Sequence, residues 1–393
     1  MRLKIAFVSD AAYPWHIGGL EAALLAKAKE LAKDKRFSVH FFCMRWPGMP
    51  EGDFVSDGIT YHPFVSTDID RFYRHRRRSI RTSVFFSVSM ARIFKYRFDF
   101  LYVNMFPILH IPLLKLYCKL TNCALILDVV EVWTREYWIK YLGGIMGRLA
   151  YMYSSYFLDS ANSYVTISST TAEDLFREGI GADRVQVFAP VLDDRALSKF
   201  RTHNRRKRVI YYGRLIKEKR LDKWIEAVGS TVGTVRGAEG LIIGNGPERE
   251  KVVSAVRRAG LGGRIMVEPF CDDRETMLRR VASSYVFLLM SEREGLSISA
   301  LEAISLGVPV LLPSYSPIPK EVKQMCVVAD DADVPARLAE ILRSKDPAQF
   351  IKNSGELRHF SISYTRKFFI EMLADVCDRY GFKERARILR GAG

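Results

Sequence analysis

The sequence predicts two tandem α/β domains, each a doubly wound, mostly parallel sheet with helices on both faces. Three observations predict it. Short unbroken runs of Val, Ile, Leu and Phe alternate with segments of helical period, which is how strands buried on both faces look. The alternation stops at a polar, basic stretch near residue 200 and then restarts. Finally, 393 residues are too many for one ordinary core and suit two domains of roughly 150–200 residues each.

In the first domain, 1–200, the strands expected are Leu3–Ser9, Phe37–Met44, Phe98–Val103, Ala124–Val129, Ser163–Ser168 and Arg184–Phe188. Helical segments such as Leu20–Lys33 lie between them, and strand–helix alternation implies a parallel sheet. LSKFRTHNRRKR, Leu197–Arg208, reads as a linker. In the second domain, 201–363, strands are expected at Arg208–Tyr212, Gly240–Ile243, Arg264–Val267, Tyr285–Met290 and Val308–Leu312. Doubly wound sheets bind ligands beyond the carboxyl ends of their strands, so two in tandem are expected to face each other across a ligand cleft.

Composition narrows the class. An apolar fraction of 48% with 12% aromatic residues describes a packed globular chain and excludes a disordered one. Six scattered cysteines, with neither a CxxC pair nor zinc spacing, read as free thiols in a reducing compartment. MRLKIAFVSD has no signal-peptide core, and no window approaches the ~18 apolar residues of a membrane span. The expectation is a cytoplasmic protein. The net charge of +16 is spread over both halves, but Arg71 to Phe98 holds nine Lys/Arg and no acid. Interleaved with Phe85, Phe86, Met90, Ile93 and Phe94, the 71–97 stretch reads either as a solvated helix face or as a surface for anionic lipid or a phosphorylated acceptor. The first of those ligands would place the protein on the inner face of a membrane. No nucleic-acid recognition motif is present.

The residues that carry chemistry follow strand ends. In YYGRLIKEK, Gly213 and Arg214 leave a strand and Lys219 follows, a pair of cations suited to a diphosphate unless both are plain surface charges. In SEREGLSISALEAISLGVPV, Glu294 and Gly295 precede a helix expected to start near Ser297. The amides of Gly295, Leu296 and Ser297 there can receive an anion or sugar hydroxyls. Glu302, two turns on, can accept from a vicinal diol, or else pair with a buried arginine while Glu294 stays exposed. Gly244 and Gly246 in GNGP form a turn that could lie against a base or ribose. In YPWHIGGLEAA, Gly18 and Gly19 allow close backbone approach to a ligand and His16 is an acceptor-side candidate; the dinucleotide spacing G-x-G-x-x-G is absent. Asp128 and Glu131 end a buried strand and can orient or deprotonate a hydroxyl, or instead cap and pair locally with Arg135.

Together these pieces resemble the retaining GT-B glycosyltransferases of family 4, over nearly the whole chain. The resemblance rests on E-x7-E from Glu294 to Glu302 followed by AISLGVPV. It is supported by GR-x4-K at Gly213–Lys219, the GNGP turn, YPWHIGGLE and TISSTTAEDLFREGIGADRVQVF. It implies two Rossmann-like domains, with 364–393 crossing back to the first, and a nucleotide-diphosphate sugar held mainly by the second. By position, Arg214 and Lys219 would hold the diphosphate, Glu294 with the Gly295–Leu296 amides the sugar, Glu302 the ribose and Gly19 the diphosphate from the first domain. Transfer of a hexosyl group from a UDP- or GDP-sugar to a lipid-linked or polysaccharide acceptor, with retention and without metal or other cofactor, is implied. The chain departs from the family pattern at Val130, where His or Arg is usual, at Arg293, at Arg220 in place of Gly, and at Pro190–Asp193. Those first-domain departures motivate an alternative, a non-catalytic nucleotide-sugar-binding protein. A third reading, an NAD-dependent dehydrogenase, has only the strand alternation behind it.

Overall fold

The computed structural model describes residues 2–16, 19–64, 80–106, 108–270, 273–294 and 296–391. Gly18, Gly295 and the 71–79 part of the basic stretch therefore lie outside the described residues. The chain divides into two compact units, 1–191 with 362–393, and 192–361, so the divisions fall nine residues before 200/201 and two before 363/364.

The first unit is built on strands β1 (Leu3–Val8), β2 (Phe37–Met44), β3 (Phe54–Ser56), β4 (Ile59–Phe64), β5 (Phe100–Asn104), β6 (Ala124–Val129), β7 (Ser163–Thr166) and β8 (Val185–Val187). Helices α1 (Gly19–Ala32), α2 (Ile80–Ser89), α3 (Ile111–Thr121), α4 (Arg135–Leu142), α5 (Gly144–Leu158) and α6 (Ser169–Arg177) connect them. The sheet order is β3-β4-β2-β1-β5-β6-β7-β8, parallel except for β3 against β4. That hairpin was not anticipated. Its turn is Asp57-Gly58, both at positive φ (52° and 75°), the geometry that Asp-Gly hairpin turns favour.

The second unit begins with α7 (Asp194–Ser198), so the stretch expected to be linker is partly helical, and Leu192 bridges to Ser361 within this unit. Its strands are β9 (Arg208–Tyr212), β10 (Glu239–Ile243), β11 (Ile265–Glu268), β12 (Val286–Leu288), β13 (Val310–Pro313) and β14 (Val327–Ala329), in the order β11-β10-β9-β12-β13-β14, all parallel. Helices α8 (Leu221–Val232), α9 (Arg249–Arg258), α10 (Arg274–Ala282), α11 (Ile298–Ser305), α12 (Lys320–Lys323) and α13 (Val334–Arg343) complete it. The last helices, α14 (Thr365–Tyr380) and α15 (Lys383–Leu389), belong to the first unit, where Phe369 packs against Phe7 and Tyr102 with ring centroids 6.1 and 5.1 Å away.

Each sheet has a point where the winding reverses: between β1 and β5 in the first unit, and between β9 and β12 in the second. Loops leaving the carboxyl ends of two such strands diverge to opposite faces and leave a crevice. Several of the sequence candidates follow strands at those reversals, while Gly244, Gly246, Asp128 and Glu131 lie at β10 and β6. His16 and Gly19 follow β1, while Arg214, Lys219 and Glu294 follow β9 and β12.

Candidate functional site

In the second unit the site is built from backbone first. Beyond the strand ends the β9 and β10 loops stay bonded: Gly213 N–H donates to Ile243 O at 3.0 Å, Leu215 N–H to Asn245 O at 2.9 Å, and Glu248 N–H to Leu215 O at 3.0 Å. The approach is too tight for side chains. A Cβ at Gly244 would stand 2.0 Å from Gly213 O, and one at Gly246, whose φ is +156°, would stand 2.3 Å from Leu215 O. Glycine is demanded at both by this contact between loops.

A second latch joins the β9 and β12 loops. Glu292 N–H donates to Glu218 O at 2.9 Å, and the Arg220 guanidinium bonds both Glu292 and Asp222. Arg220 sits where the family pattern has Gly, and its backbone is left-handed (φ 48°, ψ 51°), a region that costs a non-glycine residue ~1–2 kcal/mol.

These latches bring Lys219 and Glu294 together. Lys219 Nζ lies 2.5 Å from Glu294 Oε1, with the two side chains 15% and 9% exposed. Beside them is the Tyr211 phenol, which donates to Arg214 O at 3.1 Å. Burial pushes that phenol well above its usual range, the nearby Glu294 carboxylate pushes it further, and the Arg214 cation opposes. Arg214 itself is exposed. The phenol thus feels both the Glu294 carboxylate and the Arg214 cation.

Glu302 solves the problem of an acid inside an apolar helix. On α11, Ala300 to Ser305 are all buried, so the helix is enclosed rather than striped. Glu302 is 3% exposed, and its two oxygens accept from the Tyr212 hydroxyl and the Arg274 guanidinium. Burial first, then the carboxylate, drives the Tyr212 phenol far above its usual range. The helix starts at Ile298, with Ser297 as a left-handed cap (φ 56°, ψ 75°). At its start the Ala300 and Leu301 amides both donate to Ser297 O, at 3.1 and 3.2 Å, which leaves the two amides before them for an outside acceptor. Tyr212 and Arg274 were not singled out from the sequence. Tyr212 adjoins Gly213, but nothing local marks Arg274, 28 residues before its partner.

In the first unit the candidates scatter. His16 Nδ1 lies 3.3 Å from Glu21, and its ring packs on Trp46 with centroids 4.6 Å apart. Gly19 opens α1. Glu131 is exposed and accepts from Trp133 Nε1 at 3.3 Å. Asp128 requires a correction. Its partner is Lys27 on α1, at 2.8 Å, not Arg135, and the two side chains are only 1% and 3% exposed. Lys27 also donates to the Tyr102 hydroxyl at 2.9 Å. A carboxylate sealed in this way has no face to offer a substrate hydroxyl.

Comparison with known proteins matches the chain to two family models, Glycosyltransferase Family 4 over residues 17–195 and Glycosyl transferases group 1 over residues 194–357. N-acetyl-alpha-D-glucosaminyl L-malate synthase of Bacillus anthracis is 26% identical over 159 residues, 39% of this chain and 40% of that protein. The alignments with curated relatives therefore span less than half of those proteins' length. Among solved structures, sucrose-phosphate synthase from Thermosynechococcus elongatus superposes with a TM-score of 0.72 at 18% identity, over 96% of this chain and all of that one. Anabaena HepE, solved in complex with UDP and glucose, gives 0.65 at 12% identity, over 95% of this chain and all of that one. With one family model on each side of residue 195, two parallel α/β units, and likeness to whole GT-B structures, the chain belongs to the GT-B glycosyltransferases of the family 4 type.

Proposed function

We propose that the chain transfers a hexosyl group, with retention of anomeric configuration, from a UDP- or GDP-sugar to a lipid-linked or polysaccharide acceptor. The observation that carries this reading is the Lys219–Glu294 pair at the winding reversal of the second sheet, with Arg214 on the same β9 loop. Arg214 and Lys219 meet the diphosphate. Lys219, paired with Glu294 in the free chain, exchanges that carboxylate for phosphate oxygens, which frees Glu294 to accept from sugar hydroxyls. Arg274, whose side chain is 62% exposed, gives way to open one Glu302 oxygen to the ribose diol, while the Tyr212 hydroxyl holds the other. UDP is favoured as the nucleotide because HepE, similar in fold, was solved with it.

In the reaction the acceptor oxygen forms a bond to the anomeric carbon as that carbon's bond to the β-phosphate oxygen breaks. The bonding pair leaves with the phosphate, and the acceptor proton passes to that same oxygen on the same face of the sugar. The two cations stabilise the charge developing on the leaving group. No enzyme nucleophile takes part, and charge neutralisation is assigned to side chains rather than to a metal ion.

The test is a donor panel read by thermal shift and by product mass, with and without EDTA. Stabilisation by one nucleotide sugar, as a ligand of the native state gives, with EDTA-insensitive transfer supports the reading. A folded chain that neither transfers nor hydrolyses any donor overturns it. Tight donor binding with no transfer to any cell-extracted acceptor selects the non-catalytic binding protein instead.

A further inference from the structure

The first unit carries a pocket of about 310 Å³ near the carboxyl ends of β5 and β6, enclosed by α2, α4 and α5. That volume is at the small end of ligand pockets, which run from roughly 300 to 1,000 Å³. Of its twelve lining residues only Ser83 is neither apolar nor aromatic; Phe106, Trp133, Trp138, Tyr141 and Leu142 make its walls. Trp138 is 6% exposed, and its indole N–H has no acceptor among the described residues. An apolar cavity with an unpartnered indole N–H among its lining residues suits a hydrocarbon chain ending at an oxygen-bearing group.

The surface around the mouth is apolar as well. On α5, Ile145, Leu149, Met152 and Tyr156 recur at i, i+4, i+7 and i+11, and each is between 55% and 79% exposed. Leu149 and the half-exposed Met146 also line the pocket, so stripe and cavity are continuous. The opposite face of α5 is the one used for packing. Gly147 is buried there, where a Cβ would fall 2.5 Å from Ile139 Cα. On α2, Val84, Phe85 and Val88 are exposed too. A large exposed apolar patch marks an interaction site.

Charge selects the occupant. Among the described side chains of the three helices, the exposed charges are Arg135, Lys140 and Arg148 against Glu136 alone. Two copies of this face meeting about a two-fold axis would bring like charges together. An anionic lipid leaflet would not. We propose that this face of the first unit docks on an anionic membrane surface, and that its pocket receives one hydrocarbon chain of a membrane lipid. The inference stands on the first unit alone and does not depend on the proposed chemistry.

The experiment uses the full chain with vesicles of equimolar phosphatidylglycerol and phosphatidylcholine, and with phosphatidylcholine alone. Sedimentation should show binding to the first that weakens with salt, and a loss of about tenfold or more in the L149D/M152D double variant, whose positions are exposed. Vesicles with brominated acyl chains should quench tryptophan fluorescence, and most of that quenching should vanish in W133F/W138F. Equal binding to both vesicle types, or unchanged binding by L149D/M152D, overturns the docking. Absent quenching with the unaltered chain, or quenching that survives in W133F/W138F, overturns the pocket assignment. Should light scattering show a dimer that L149D/M152D dissociates, with no vesicle binding by the unaltered chain, a second copy covers this face and the proposal falls.

Discussion

Both units place a lysine–carboxylate pair near the end of their sheet, and the two pairs serve opposite ends. In the first, Lys27 and Asp128 are 3% and 1% exposed, with Tyr102 completing the lysine's contacts. In the second, Lys219 and Glu294 are 15% and 9% exposed, with the exposed Arg214 on the same β9 loop as Lys219. A sealed pair has already lost its hydration and can do nothing but hold α1 to the sheet. A pair open at the rim can trade one partner for a phosphate, because the incoming anion replaces what the lysine gives up. Ion pairing at a strand end is therefore no sign of a site. Position at the winding reversal, together with access, is.

Breaking the sealed pair should have the largest effect on folding. Lys27→Met leaves Asp128 buried and unpaired, with an expected loss of about 3–5 kcal/mol in urea unfolding; Asp128→Leu added to it should restore part of that. The same experiment on the open pair separates the two roles. Lys219→Ala leaves a part-buried Glu294 without its partner and should cost about 1–3 kcal/mol, less than the sealed pair, while donor affinity by calorimetry falls at least about tenfold, a loss of about 1.4 kcal/mol. A Lys219→Ala chain that binds nucleotide sugar normally would remove the distinction.

Acid should also separate the units. His40 Nδ1 lies 2.9 Å from His62 Nε2, and His62 Nδ1 lies 2.7 Å from Asp53. Burial first, and the His62 charge second, hold His40 down to about 4. Unfolded, it would titrate near 6.5. Between those values the unfolded chain binds the extra proton, so stability is constant above pH ~6.5 and falls as pH drops toward 4. Partial exposure limits the loss to about 1–2 kcal/mol. The histidines of the second unit, His203 and His359, are exposed. Unfolding of the first unit should accordingly show the slope, and His40→Gln should flatten it.

Smaller effects sharpen the second unit. Tyr212→Phe removes one of Glu302's two partners and should cost about 1–2 kcal/mol in stability, with a weaker donor complex as the accompanying readout. Arg220→Gly relieves ~1 kcal/mol or more of left-handed backbone strain but loses two ion pairs, each worth under about 1 kcal/mol. Its midpoint in urea should therefore hardly move.

Much of this molecule could be read in advance. Unbroken runs such as LKIAFV and ALILDV marked strands buried on both faces, and Gly213, Gly244 and Gly246 stand where two loops touch. The β3–β4 hairpin was missed although Asp57-Gly58 announced it, because its strands are short and interrupted by His62 and Pro63. The partners of the buried acids were missed for another reason. Lys27 reaches Asp128 across 101 residues and Tyr212 reaches Glu302 across 90, and no local pattern encodes such a pairing.

Alternation of apolar runs and helical periods was enough to set the class of fold, since each element's buried face is written in its own few residues. The order of glycines, cations and acids was enough to single out the loops that join β9, β10 and β12. Which acid is sealed and which is open, and which apolar helix face is left uncovered as on α5, was decided only when the chain closed on itself. Burial belongs to what a side chain packs against, and that is set by residues far away in the sequence.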